Sequence, residues 1–185
     1  MIEVEIKVRA DIVEIEKRLL GLGACFKGEL YEEDLYLNPP FKDFSLSDEA
    51  LRIRFRKKGG LFTYKGPKLD PISKSREEIE VEVSDPSKLR GILLKLGFKE
   101  AGWVKKRRKK FELDSFRVFL DEVEGLGGFV EIETKAEGPY EELLQKALKL
   151  LEKLNLKGEI IRESYLELLL KKADPKAFDK PFGES

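Results

Sequence analysis

The chain of 185 residues has no histidine, one cysteine and one tryptophan. Without histidine there is no Ser-His-Asp or Cys-His catalytic set, no imidazole zinc site and no H-E-x-x-H motif. A single thiol, Cys25, excludes an internal disulfide and a cysteine metal cluster, and reads as a small buried hydrophobe after a helix. Any metal must therefore be held by carboxylates, which favours Mg²⁺ or Mn²⁺ over zinc. Apolar runs never reach the length of a membrane span and the N-terminus has no signal-peptide pattern, so a soluble, cytoplasmic protein with no membrane partner is expected. Neither sign of charge dominates: Lys+Arg and Asp+Glu are both 36, so the chain as a whole has no bias toward nucleic acid or an anionic membrane. Amides are scarce too, with only Gln145, Asn38 and Asn155, and beside abundant Lys and Glu this resembles a thermophile's usage.

What is present is charge in strict order. Hydrophobic residues make up 41%, enough for a core, and charged residues 39%, well above the usual share. In the first nine residues Ile2, Val4, Ile6 and Val8 alternate with Glu3, Glu5, Lys7 and Arg9. A period of two is one β-strand with an apolar face and an ionised face. At about 3.3 Å per residue, Glu3 and Glu5 stand roughly 7 Å apart, a spacing that suits a divalent metal beside something strongly anionic.

Helical spacing of apolar residues predicts helices over 11–22 and 85–96, each closed by glycine, and two more over 140–154 and 160–170. The flanks of the first two reveal a weak internal repeat with a period of about 75 residues. Strands are expected at 2–8, 29–37, 50–57 and 61–66 in the first copy, and at 77–83, 102–113, 116–123 and 129–134 in the second. The order is β-α-β-β-β twice. Gly59-Gly60 and the segment 125–128 read as hairpin turns, and the long loops 38–49 and 66–75 as surface connections or lids.

Nearly every strand repeats the one-sided charge. Arg52, Arg54 and Arg56 oppose Leu51, Ile53 and Phe55. Thr63 and Lys65 oppose Phe62 and Tyr64, and Arg76, Glu78, Glu80 and Glu82 oppose Ile79, Val81 and Val83. Lys106, Arg108 and Lys110 share a face, Asp121 lies with Arg117 and Phe119, and Glu131 and Glu133 oppose Val130 and Ile132. A half-buried antiparallel sheet with one wet side explains any single strand. Many such strands with few helices fit better a sheet closed into a barrel, with helices outside and charge in the lumen. Such a lumen is costly to desolvate unless the charges pair or bind something. Arg52, Arg54, Lys65, Arg76, Lys106 and Arg108 form a cationic array too large for one carboxylate, and a polyphosphate with a metal ion would satisfy cations and acids together. The run Lys105–Lys110 reads linearly as a nucleic-acid patch. Read as a strand, it sends only alternate cations inward, and no repeated aromatic platform accompanies it, so nucleic acid is not the expected partner.

These residues resemble the CYTH family, part of the triphosphate tunnel metalloenzymes, which includes class IV adenylyl cyclases and thiamine triphosphatases. Glu3, Glu5 and Lys7 are similar to its E-x-E-x-K start. Arg52 and Arg54, then Lys65 in "YKGP", match its Arg strand and K-G-P hairpin. "REEIE" at Arg76, Glu78 and Glu80 resembles its R-x-E-x-E, and Lys106 and Arg108 its K-x-R. Asp121 with Glu131 and Glu133 matches the acidic strand and E-x-E, and "ESYLELL" from Glu163 its C-terminal S-Y segment. The resemblance implies an α+β fold, a closed eight-stranded antiparallel β-barrel with helices packed outside, as a domain over 1–171 followed by an extension over 172–185. It further implies that Glu3, Glu5, Asp121, Glu131 and Glu133 hold Mg²⁺ or Mn²⁺. Lys7, Arg52, Arg54, Lys65, Lys106 and Arg108, with Arg9 and Arg76 added, would hold a triphosphate. Lys7, Glu5 and Glu131 form the expected catalytic set, and Glu78 and Glu80 orient cations.

The expected function is metal-dependent cleavage of a small triphosphate: by cyclase-type chemistry from ATP to cyclic AMP and pyrophosphate, or by hydrolysis of inorganic, nucleoside or thiamine triphosphate. A non-catalytic polyphosphate-binding module would share the same tunnel. A homodimer is compatible with a chain of this size, and nothing in the sequence demands one.

Overall fold

The computed structural model describes residues 1–175. β1 (Ile2–Arg9), α1 (Ile12–Gly21), β2 (Cys25–Asn38), β3 (Ala50–Phe55) and β4 (Gly60–Lys68) make the first β-α-β-β-β unit. β5 (Arg76–Val83), α2 (Pro86–Lys95), β6 (Lys99–Leu113), β7 (Phe116–Val123) and β8 (Gly127–Ala136) make the second, and α3 (Glu141–Lys153) and α4 (Tyr165–Ala173) follow. The strands are antiparallel and close a ring in the order β1-β5-β4-β3-β2-β6-β7-β8. The two units exchange their first strands: β1 runs along β8 over eight residue pairs, and β5 along β4. β1 and β5 themselves meet at only two pairs, Ile2 with Glu77 and Glu3 with Arg76, so the ring closes at a thin seam.

Local chemistry places the helices. The Asp11 carboxylate accepts from the Val13 and Glu14 amides at the start of α1, and Asp85 accepts from Lys88 before α2, whose first residue is Pro86. Gly59 (φ +63°) and Gly60 turn β3 into β4, and a Cβ on Gly60 would lie 2.2 Å from the Arg54 carbonyl oxygen. Outside the ring, α1 and α3 bury Ile15, Leu19, Leu144, Ala147 and Leu150 against Val4, Ile6, Val118, Val130 and Ile132. Leu93 of α2 packs on Leu35, Leu37, Leu51 and Ile53.

Several expectations change. β2 and β6 are longer than the alternation alone indicated, running as one 14- and one 15-residue ribbon. α4 starts at Tyr165 rather than near 160, because Ile160 bridges Val8, the Ile161 amide donates to the Lys7 carbonyl, and Ser164 with Glu167 forms a capping box. It also does more than cover the outside: Tyr165 packs with Val104, Val123 and Phe129, residues in phase with the lumen-facing charges, and so closes one end of the barrel. Cys25 is exposed, since it opens β2 beyond the helical cover. The expected extension begins inside α4, and its residues 176–185 lie outside the described residues.

Candidate active site

Strand alternation delivers the charged faces to one tunnel of about 250 Å³. Six of the expected phosphate-binding cations line it: Arg52, Arg54, Lys65, Arg76, Lys106 and Arg108, each buried or largely so. Arg56, Lys110, Arg117 and Lys135 join them. Lys7 points the same way but is fully buried at the closed end, where its ammonium donates to the Glu163 carbonyl and sits 4.2 Å from the Tyr165 ring centroid. Burial, then the neighbouring Lys74, pushes the Lys7 pKa well below its ordinary value. Arg9 stands apart. It is exposed at the barrel end, bonded to the Leu126 carbonyl and stacked 4.5 Å from the Phe129 ring.

The acids divide into two groups. Glu3, Glu5 and Glu133 are all buried and bring one oxygen each within 4.8 Å of one another. Glu5 and Glu133 are direct partners across β1 and β8, an arrangement that repels unless a cation intervenes. Burial, then Glu3 and Glu5, raises the Glu133 pKa well above the carboxylate range. Hard oxygen donors in this number suit Mg²⁺ or Mn²⁺. Lysines reach the same cluster: Lys65 Nζ lies 2.6 Å from Glu3, and Lys74 Nζ 2.5 Å from Glu5. Asp121 and Glu131 belong to a second network. The Arg108 guanidinium holds Asp121 bidentately (2.7 and 2.5 Å) and also bonds Glu131, while the Tyr165 hydroxyl donates to Asp121 at 2.8 Å. Although burial alone would raise it, Arg108, Lys74 and Lys7 hold Glu131 well below the usual range. Of the five expected metal ligands, three converge and two are engaged by Arg108.

The cations are held in place by four acids: Asp34 and Glu32, which the strand pattern did not single out, and Glu78 and Glu80, which were expected to orient cations. Asp34 takes Arg54 bidentately at 2.7 and 2.8 Å, Lys106 at 3.1 Å and Arg52 at 3.8 Å. Glu32 stands 3.3 Å from Arg54 and 3.6 Å from Lys106. Glu78 lies 2.9 Å from Lys65, and Glu80 accepts from Thr63 near Arg52. Even so, the Nε donors of Arg52 and Arg76 are buried with no protein acceptor among the described residues. Unpaired donors of a buried guanidinium are expensive, and their place on the tunnel wall suits an anionic ligand. Lys74, also missed, sits in the β4–β5 loop, which enters the seam: its amide donates to the Glu5 carbonyl. A loop has no periodicity that would have flagged it. Tyr165 had a signal, the S-Y segment, but no role. The outward cations of the basic run are matched by acids, Lys105 with Glu33, Arg107 with Glu29 and Lys109 with Glu16.

The CYTH domain family matches residues 1–165. A Methanocaldococcus jannaschii protein, MJ0240, whose name makes it a candidate adenylate cyclase, is 45% identical over 172 residues, covering 91% of this chain and 98% of that one. The solved structure of PH1819 from Pyrococcus horikoshii superposes with a TM-score of 0.86 at 43% identity, over 92% of this chain and 99% of that one. HpAC1 from Hippeastrum, a candidate adenylyl cyclase described as having a dominant triphosphatase activity, shares the fold at a TM-score of 0.65 and 20% identity, over 92% of this chain and 95% of that one. Among the described residues no helix is long and apolar enough to cross a membrane.

Proposed function

The chain belongs to the CYTH family, and from that premise we propose that it is a divalent-metal-dependent enzyme that cleaves ATP to cyclic AMP and pyrophosphate inside its barrel. The observation that carries this reading is the joint exposure, in one enclosed tunnel, of six buried cations and the Glu3–Glu5–Glu133 cluster. Glu3, Glu5 and Glu133 would hold the ion, which supplies charge neutralisation at phosphate oxygens. Arg52, Arg54, Lys65 and Arg108 would bind and orient the polyphosphate. In the reaction the ribose 3′ hydroxyl oxygen bonds to the α-phosphorus, the bond from that phosphorus to the bridging oxygen breaks, and pyrophosphate leaves with the electron pair and takes up the hydroxyl proton. A cationic wall already ordered by Asp34 and Glu32 stabilises that leaving charge without reorganising. Enclosure by the barrel keeps bulk water from the α-phosphorus.

A second reading keeps the same binding set and replaces the ribose hydroxyl with water, which makes the protein a triphosphatase. It is favoured by the description of HpAC1, whose fold this chain shares. One incubation series separates the two. ATP, inorganic triphosphate and thiamine triphosphate are each supplied with Mg²⁺ or Mn²⁺ and the products resolved by chromatography. Cyclic AMP with pyrophosphate is expected; orthophosphate from inorganic triphosphate with ATP untouched would assign the hydrolase. Glu5→Gln is expected to lower kcat by about 100-fold or more with an unchanged melting temperature, and an unimpaired rate would remove Glu5 from the metal set.

A further inference from the structure

The loop 69–75 joins β4 to β5 and carries Lys74 into the tunnel wall. Burying an ammonium costs free energy unless an acid meets it, and this loop is built to bury one. Asp70 accepts from the Ile72 and Ser73 amides at 2.8 and 2.6 Å, and from the Ser73 and Tyr140 hydroxyls at 2.6 and 3.1 Å. Arg162, from the segment before α4, donates to the Asp70 and Ser73 carbonyls at 2.7 and 3.2 Å. The Lys74 amide donates to the Glu5 carbonyl at 3.0 Å. The backbone leading to Lys74 is therefore fixed. Its side chain is 5% exposed and places Nζ 2.5 Å from Glu5, a member of the Glu3–Glu5–Glu133 cluster.

Lys65 serves the same cluster differently. It stands on β4 and is shared between Glu3, Glu5 and Glu78, so it keeps an acid outside the cluster. Among the described residues Lys74 is paired with Glu5 alone. Its other charged neighbours are three cations, Lys7, Lys65 and Arg76, and Glu131, which Arg108 already engages. An ammonium moved off Glu5 has no acid free to receive it until an anion enters. A divalent ion arriving alone must compete for Glu5 and drive that ammonium toward like charge. Phosphate oxygens arriving with the ion give the ammonium a new partner. Resting on the metal-dependent, triphosphate-binding reading above, we propose that Lys74 is a resident counter-ion of the metal position. It holds Glu5 before any ligand enters, and passes to a phosphate oxygen when ion and polyphosphate enter together. Metal and polyphosphate then bind with positive coupling, and an ion without its anion is kept out.

The test is calorimetric titration of Mn²⁺, with chloride as the only anion, into the full chain and its variants. Lys74→Met and Lys74→Gln remove the charge, and Lys74→Arg keeps it. Both uncharged variants are expected to bind Mn²⁺ about tenfold or more tighter than the parent, and Lys74→Arg within about twofold of it. Mn²⁺ should also raise the melting temperature of Lys74→Met more than that of the parent. Adding Glu133→Gln to Lys74→Met should abolish the gain. A lysine that only binds phosphate would leave Mn²⁺ affinity unchanged and weaken binding of Mn²⁺ with inorganic triphosphate. One that only supports the loop would lower the melting temperature and leave Mn²⁺ affinity unchanged. Either result would overturn the counter-ion assignment while leaving the tunnel reading intact. Binding of neither Mn²⁺ nor inorganic triphosphate, singly or together, to any of these proteins would instead overturn the tunnel reading and the counter-ion with it.

Discussion

Asp34 faces three cations at once, Arg52, Arg54 and Lys106, and is almost wholly buried. Removing it would leave those charges stacked on one wall without a counterion, so Asp34→Ala is expected to cost about 3–5 kcal/mol in urea unfolding. The same loss makes the tunnel more attractive to an anion. Inorganic triphosphate should therefore raise the melting temperature of Asp34→Ala more than that of the parent, and an equal rise would show that Asp34 does not offset tunnel charge. Glu32 has a pH signature. Burial would raise its pKa, but Arg54, Arg108 and Lys106 prevail and lower it to about 2. An unfolded glutamate titrates near about 4.3, so the folded state favours the carboxylate. Its stabilisation is fully present above that value and is lost as the pH falls toward about 2. Glu32→Gln is expected to flatten the fall in unfolding free energy across that window, and parallel curves would refute it. Glu3, Glu5, Arg52, Arg54 and Lys65 were legible because their strands alternate cleanly. Glu32 and Asp34 were not, because Leu30 and Tyr36 share their face while Glu29 and Glu33 put charge on the other. Arg9 has the correct parity but lies one step beyond the lumen, a distance that parity cannot measure.

α4 shows how an element can be recognised by its period and still be misplaced. Apolar spacing from Ile160 onward suited a helix, but the Ile160 and Ile161 backbone is taken by β1, and the helix can begin only where Ser164 and Glu167 cap it. That later start puts Tyr165 at the first turn and sends its ring to Phe129, 5.0 Å between centroids, and its hydroxyl to Asp121. Burial and Asp121 push the Tyr165 pKa well above its ordinary value, so the hydroxyl remains a donor. Tyr165→Phe keeps the packing and leaves the buried Asp121 one donor short. The expected loss is about 1–3 kcal/mol, read as a lower urea midpoint with an unchanged slope. An unaltered midpoint would mean that Arg108 alone satisfies Asp121.

At the scale of the whole molecule the two repeats build one site because they trade their opening strands. The repeat itself was visible in the order of helices and strands, but the exchange was not, since hydrophobic period says which face is buried and nothing about which neighbour a strand selects. Through the exchange Glu3 and Glu5 of the first unit stand beside Glu133 of the second, and Lys65 of the first beside Glu78 of the second. The arrangement leaves β1 and β5 joined by two residue pairs, with the Lys74 amide bonded to Glu5 and the Glu78 amide to Met1 at the same seam. A ladder that short offers little resistance to local opening, so the amides of 80–83 that point away from β4 should exchange faster than those of any other strand interior. In the proposed binding mode a triphosphate would span this seam, with Glu3 and Glu5 on one bank and Arg76 and Lys65 on the other. Binding therefore couples to closure: inorganic triphosphate with Mg²⁺ should slow hydrogen exchange at 74–78 and leave the long β2–β6 ribbon, already paired along its length, unchanged. Uniform slowing across all strands would point to global stabilisation, and no slowing at the seam would place the anion elsewhere.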